Sequence, residues 1–363
     1  MSMFVSGNAQ PAKNSSRTKR IIARVGLLLL IAGFLAAVFV PLPFVIERPG
    51  PAYNVMALSA GTPVIEITGK KTFASDSRLN VMTVNVYGQP GGGPSAIELL
   101  AAYFDSASAI TPMDQVYAPD TSSAEINQIN QIMMTSSQQD AIAAALNQLK
   151  IPFTSELSVA LVSKKTPADG VFKVGDKILS VDGVAITSFS QLTKVIQGWQ
   201  AKAPLAFKFD RAGKVLDVLI RPVMKSGHYR VGVYVDVKNK FPFSVKLNLA
   251  GVGGPSGGMI FALGIYDKLT PGSLAGSENI SGTGTIDAGG QVGPIGGIRQ
   301  KMYTALRAGS TWFLAPESNC NEVVGHIPDG LHVTKVSTLT DAIKALEVIS
   351  SGGDTSSLPT CTK

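Results

Sequence analysis

Two short segments in the last third of the chain carry residue types suited to acyl transfer. In GVGGPSGGMIFALGIYDKL, residues 251–269, Ser256 stands between glycine-rich backbone and an apolar run with helical spacing at Met259, Ala262, Leu263 and Tyr266. Small neighbours leave a hydroxyl at the head of a helix uncrowded, and free N–H groups at a helix start stabilise an oxyanion. The backbone of Gly254, Ser256 and Gly257 is therefore the candidate oxyanion hole. Serine is equally a favoured N-cap, and in that role it serves only the helix. The second segment, GPIGGIRQKMYTALRAG at 293–309, reads as a glycine-terminated helix whose apolar stripe is Ile298, Met302, Ala305 and Ala308. Lys301 lies three residues after Ile298 and four before Ala305, so it projects toward that stripe, whereas Arg299, Thr304 and Arg307 point elsewhere. Desolvation lowers a lysine pKa, and bringing it from about 10.4 to the range of about 7 to 8 useful for a general base takes roughly 3 to 5 kcal/mol of environment. The alternative is a lysine whose stem lies on apolar surface while its head reaches water.

With SGTGTIDAGGQVGPIGG between them, these segments resemble the proteolytic domain of the Lon family of Ser-Lys peptidases, from about Val231 to Leu346. The matching motifs are the P-S-small-G segment, the T-G-x-I strand, the G-x-V-x-P-I-G-G turn and the later AGSTWFLAP. The resemblance implies Ser256 as nucleophile, Lys301 as general base and Thr283 as the threonine whose hydroxyl helps orient the lysine. Two positions depart from the pattern. Gly253 stands where many relatives have an acid three residues before the serine, and Gly257 stands where alanine is commoner. Gly-Lys pairs occur only at Gly69 and Gly213, neither within a G-x-x-x-x-G-K-[ST] loop, so no nucleotide is expected as a partner.

The elements that must position these residues begin upstream. Residues 157–222 alternate β-like runs (LSVALVS, KILSVDG, PLAFKFD, VLDVLIRP) with one helical patch near Ser190 to Trp199. Within them TPADGVFKVGDKILSVDGVAI, residues 166–186, resembles the PDZ pattern, which implies a domain over 151–224 that captures an extended peptide or chain end by strand addition. The usual carboxylate-binding loop is not recognisable on Lys150 to Glu156, and a PDZ-like fold that only positions its neighbours is the alternative. The proteolytic domain is expected over 229–349, with a polar C-terminal tail at 350–363. Residues 47–150 read as a β-rich stretch of no obvious chemistry, then a helical stretch from Ala96 to Leu149 with an apolar stripe at Ile142, Ala145, Leu146 and Leu149.

The N-terminus sets the compartment. Residues 1–24 form a basic tail, and Val25 to Ile46 are 22 residues without a charge, about 33 Å as a helix and enough to cross a bilayer. The basic cluster flanks one end only, so the positive-inside bias places the N-terminus in the cytoplasm and everything after residue 46 outside it. A cleaved signal peptide fits less well, because the run is long and no small-x-small site precedes a polar segment. Of the formal charge of +7, five lie in that tail, leaving about +2 for the remainder, too little for a nucleic-acid footprint. Three scattered histidines (228, 326, 332) argue against a metal site, and Asp120, Asp140 and the other acids show no paired acid-base spacing. Outside the membrane, Cys320 and Cys361 are expected to form one disulfide tying PTCTK to the peptidase domain, two free thiols being the alternative.

The expected fold class is α+β multidomain: a transmembrane helix, a PDZ-like domain and a Lon-type proteolytic domain. The whole resembles the membrane-anchored PDZ-containing Lon-like proteases of bacteria. That resemblance implies an ATP-independent, cofactor-free, single-pass serine endopeptidase of the bacterial cell membrane acting on extracytoplasmic proteins or peptides, with a homo-oligomer conceivable. Two competing readings stand beside it. One is a membrane-tethered PDZ scaffold with a non-catalytic peptidase-like domain. The other takes Gly254-Pro255-Ser256-Gly257-Gly258 as a G-x-S-x-G nucleophile elbow served by His326 or His332 with Asp287 or Asp329.

Overall fold

The computed structural model describes residues 15–59, 61–118, 121–200, 203–249 and 254–362. They divide into two compact units, one drawing on 1–46, 87–106 and 110–119 and the other on 47–86, 107–109 and 120–363. The long helix of the first unit, α1 (Ser15–Phe39), contains the 21-residue stretch Lys19–Phe39, whose most apolar 18 residues have a mean hydropathy of 2.5 and are not buried against protein. Its length, about 32 Å, suits a bilayer span and equally a signal sequence. The helix covers 15–39, whereas the apolar run expected to span the membrane covers 25–46. The helix begins within the basic cluster and stops at Phe39, because Pro41 and Pro43 offer no N–H and hold the backbone extended before them. Val45 and Ile46 instead lie buried in a strand. Ser95 starts α2 (Ala96–Tyr103) with a reciprocal capping box to Glu98. The continuous helical stretch expected from residue 96 to 149 is broken by a strand at Ala109–Pro112, where Ile110 and Thr111 before a proline favour extended backbone. Asp120 lies outside the described residues.

In the second unit, β1 (Phe44–Asn54) and β2 (Arg78–Tyr87) open the main sheet, and α3 (Ser123–Gln148) follows. The expected stripe on α3 is present, but Asp140 to Leu146 are all buried, so this end of the helix is enclosed on every side. Next come β3 (Thr154–Val162), β4 (Lys177–Val181), α4 (Phe189–Gln197), β5 (Leu205–Arg211), β6 (Lys214–Ile220) and β7 (Val233–Lys240). The strands order as β6-β5-β4-β3-β7, all antiparallel. Alternating residues Leu157, Val159, Ile178, Phe207 and Phe209 pack under Leu192 and Ile196 of α4. The Asp-Gly hairpin forms as the sequence implies, with Asp182 at φ 48° and Gly183 at φ 76° between paired Val181 and Val184. Asp176 of the Gly-Asp pair is 1% exposed and receives both Nε (2.7 Å) and Nη2 (2.6 Å) of Arg211. Strand β7 pairs with β3, and α3 then meets β7: Ser136 Oγ donates to the Val235 carbonyl at 3.0 Å and Asn239 N donates to Gln139 Oε1 at 3.3 Å.

The last third adds α5 (Gly258–Leu269), β8 (Asn279–Gly282), α6 (Ile298–Arg307), β9 (Trp312–Pro316), β10 (His332–Val336) and α7 (Leu339–Ser350). The main sheet runs β10-β9-β8-β2-β1, with β10, β9, β8 and β2 mutually parallel. Every residue of α5 from Gly258 to Ile265 is buried, the mark of a helix packed all round, here by α3, α7 and the sheet. Leu79, Val81, Leu146, Ile260, Leu263 and Leu346 share this core. In the C-terminal segment, Pro359 O accepts from Lys335 N (2.9 Å) and Thr334 Oγ1 (2.9 Å), and Cys361 is disulfide-bonded to Cys320, the pairing expected from the sequence. The molecule is an α+β multidomain protein.

Candidate active site

Ser256 occupies the turn that leads into α5, two residues before its first residue. Gly254 sits at φ 83°, a conformation open to glycine but strained for other residues. Gly257 is the N-cap, and a Cβ there would lie 2.6 Å from Val81 Cγ2. The alanine commoner in the resembling family thus has no room beside β2. Ser137 of α3, 5% exposed, donates to the Pro255 carbonyl at 3.0 Å and ties the segment down just before the serine. The Ser256 carbonyl accepts from Gly284 N at 2.8 Å and from Thr283 Oγ1 at 3.0 Å. The amides of Ser256 and Gly257 have no hydrogen-bond partner among the described residues, leaving two donors side by side at a helix start. Gly253 falls outside the described residues.

Helix α6 starts after Gly297, at φ 67°, and presents Ile298, Met302 and Ala305 to the core. Lys301 shares that face and is 3% exposed. Two details differ from the expected pattern: Ala308 is exposed, and Thr304 is buried, its hydroxyl donating to the carbonyls of Gly50 and Gln300. A helical threonine satisfies its hydroxyl on the preceding turn, so it can turn inward without an unpaired polar group. Lys301 Nζ lies 3.3 Å from Thr283 Oγ1. Because the only hydroxyl proton of Thr283 goes to the Ser256 carbonyl, Thr283 must accept from the lysine. A neutral amine that gives one N–H to Thr283 keeps its lone pair free for another proton. Lys301 and Ser256 are brought together through Thr283, without a hydrogen bond between their own tips.

Burial pushes Lys301 down from its ordinary 10.5 to about 8, against the opposing pull of the Glu47 carboxylate. Burial in turn raises Glu47, which Lys301 draws back down and Glu322 raises further. Glu47 lies on β1, in the stretch the sequence marked as having no obvious chemistry, a reading the structure corrects: β1 supplies this charge and β2 the wall behind Gly257. Asp140 is a second group missed by spacing alone. Burial, with Asp287 adding to it, raises Asp140 to about 7. Neither His326 nor His332 is hydrogen-bonded to Ser256: His326 Nδ1 meets the Val324 carbonyl at 3.1 Å, and the His332 ring lies 4.9 Å from that of Trp312.

This arrangement belongs to a recognised domain. Residues 244–348 match the Lon protease (S16) C-terminal proteolytic domain, and residues 133–221 match the PDZ domain. The chain thus carries one segment similar to a PDZ domain and one similar to the Lon proteolytic domain, consistent with a PDZ-containing Lon-like protease. It is 37% identical over 95 residues to a Lon protease of Azospirillum brasilense, covering 25% of this chain and 11% of that protein. It is 26% identical over 206 residues to Lon protease 1 of Bacillus subtilis, covering 54% of this chain and 26% of that one. The chain therefore spans only a minor part of the length of these relatives. Among solved structures, the PDZ domain of an SdrC-like protein from Listeria innocua matches at 22% identity with a TM-score of 0.20, covering 22% of this chain and 90% of that one.

Proposed function

We propose that the chain is a membrane-anchored serine endopeptidase that hydrolyses peptide bonds of extracytoplasmic proteins without nucleotide or metal. The observation that carries this reading is the buried Lys301 joined by Thr283 to the backbone of Ser256. Neutral Lys301 takes the Ser256 hydroxyl proton as the oxygen attacks a peptide carbonyl, and the amides at Ser256 and Gly257 hold the resulting oxyanion. The ammonium then returns its proton to the leaving amine, and water, deprotonated by the same lysine, releases the acyl group. The PDZ domain binds a substrate or a regulator. Helix α1 supplies the anchor, and the Cys320–Cys361 disulfide supports an oxidising compartment for the catalytic domain.

The test is labelling of the membrane-bound chain by a serine-directed fluorophosphonate. Adduct at Ser256, lost in Ser256→Ala, reduced at least about a hundredfold in Lys301→Met and kept when His326 and His332 are both replaced, is the expected result. No adduct and no peptide hydrolysis across varied substrates would leave a tethered PDZ scaffold.

A further inference from the structure

Helix α2 buries Ala102 on one side and bares large apolar side chains on the other. Ile97, Leu100, Tyr103 and the C-cap Phe104 are 42%, 59%, 76% and 78% exposed. Their spacing places them within one arc of about 120° of the helix surface, and the rings of Tyr103 and Phe104 meet edge to face at 5.4 Å. Such a contiguous bare patch is uncommon on a surface that faces only water.

What lies beside it is given by the way this segment is fastened. Leu42 N donates to the Pro94 carbonyl at 2.8 Å, two residues before α2, and Met113 N donates to the Pro43 carbonyl at 3.0 Å. Backbones approach so closely here that a Cβ on Gly93 would lie 1.9 Å from Leu42 O and one on Gly88 2.5 Å from Phe44 O. Helix α2 also packs on α1 itself. Leu42 is only three residues beyond the end of α1 and so lies within about 10 Å of that end, and α2 begins two residues after the Pro94 it is bonded to. Phe39, the last residue of α1, and Val40 after it are themselves 74% and 52% exposed.

We infer that the Ile97–Phe104 face of α2 is seated in the boundary between headgroups and acyl chains on the outer side of the bilayer that α1 crosses. The partner is a lipid surface, and the inference rests on reading α1 as a membrane anchor. An aromatic pair with one hydroxyl suits this depth, where rings enter the acyl region and a phenol stays wet.

Nitroxide probes on the full chain in vesicles of phosphatidylcholine and phosphatidylglycerol (3:1, roughly the charge of an anionic bilayer) test it. Both native cysteines are in a disulfide, so single substitutions Tyr103→Cys, Leu30→Cys and Lys214→Cys take the label selectively. Collisions with oxygen, which concentrates in lipid, are compared with collisions with a water-soluble nickel chelate. The expected result is an oxygen-to-nickel ratio at Tyr103→Cys severalfold above that at Lys214→Cys and approaching that at Leu30→Cys. A nickel-dominated probe at 103 with a lipid-dominated probe at 30 overturns this inference and leaves the anchor intact. Low collision with both reagents at 103 means that protein, such as a second copy of the chain, covers the face, and also overturns it. A nickel-dominated probe at 30 removes the anchor reading, and this inference with it.

Discussion

Lys301 combines nearly complete burial with a pKa of about 8, so at pH 7 only about a tenth of it is the neutral base. Rate of acylation should therefore climb about fivefold between pH 7 and 8, reach about tenfold by pH 9 and level off above. Glu47 holds the lysine charge in place, and Glu47→Gln should move the midpoint of that climb about one pH unit toward acid. A pH-rate profile of phosphonate labelling reads both numbers, and an unmoved midpoint would remove Glu47 from the site. Ser256 and Lys301 stood out because a glycine-rich turn and a helical stripe leave local marks in sequence, whereas Thr283 came only from the resemblance to the Lon proteolytic domain. Glu47 was not, since it reaches Lys301 only through the pairing of strands distant along the chain. Asp140 and Asp287 were hidden for the same reason, each being unremarkable until a helix and a turn bring them together.

Contact between β2 and the start of α5 explains why glycine stands after Ser256. Gly257→Ala should cost about 1 to 3 kcal/mol by overpacking against Val81, and Val81→Ala should remove that overlap. Thermal unfolding of the two single variants and the double variant should show a coupling of about 0.5 kcal/mol or more, and simple additivity would refute the contact. At this scale the α4, α5 and α6 helices and the strands around the Asp-Gly hairpin were readable from periodicity and turn chemistry. The apolar run at the N-terminus extends past the helix because hydropathy does not distinguish the exposed side chains of α1 from Val45 and Ile46, which are buried in a strand. The 47–86 strands carried no mark of function, because their contribution to the site is a wall and a charge rather than a reacting group.

For the molecule as a whole, the Cys320–Cys361 bond holds the C-terminal segment along β10 across a separation of 41 residues. Closing a loop of that length is worth about 4 kcal/mol in the chain-entropy account, so Cys361→Ser or reduction should lower the melting temperature of the proteolytic domain by several degrees. Calorimetry with and without reductant checks this, and an unchanged transition would make the bond structurally idle. The order of domains was legible from motifs, but not the way α3 joins them, since no sequence period announces which neighbour a buried helix will touch. Consecutive residues of α3 grip different parts of the protein: Ser136 holds a strand laid against the PDZ sheet, and Ser137 holds the carbonyl just before Ser256. A helix does not stretch between adjacent residues, so these two grips form a single mechanical joint. The strand and the backbone beside Ser256 thus rest on the same turn of one helix.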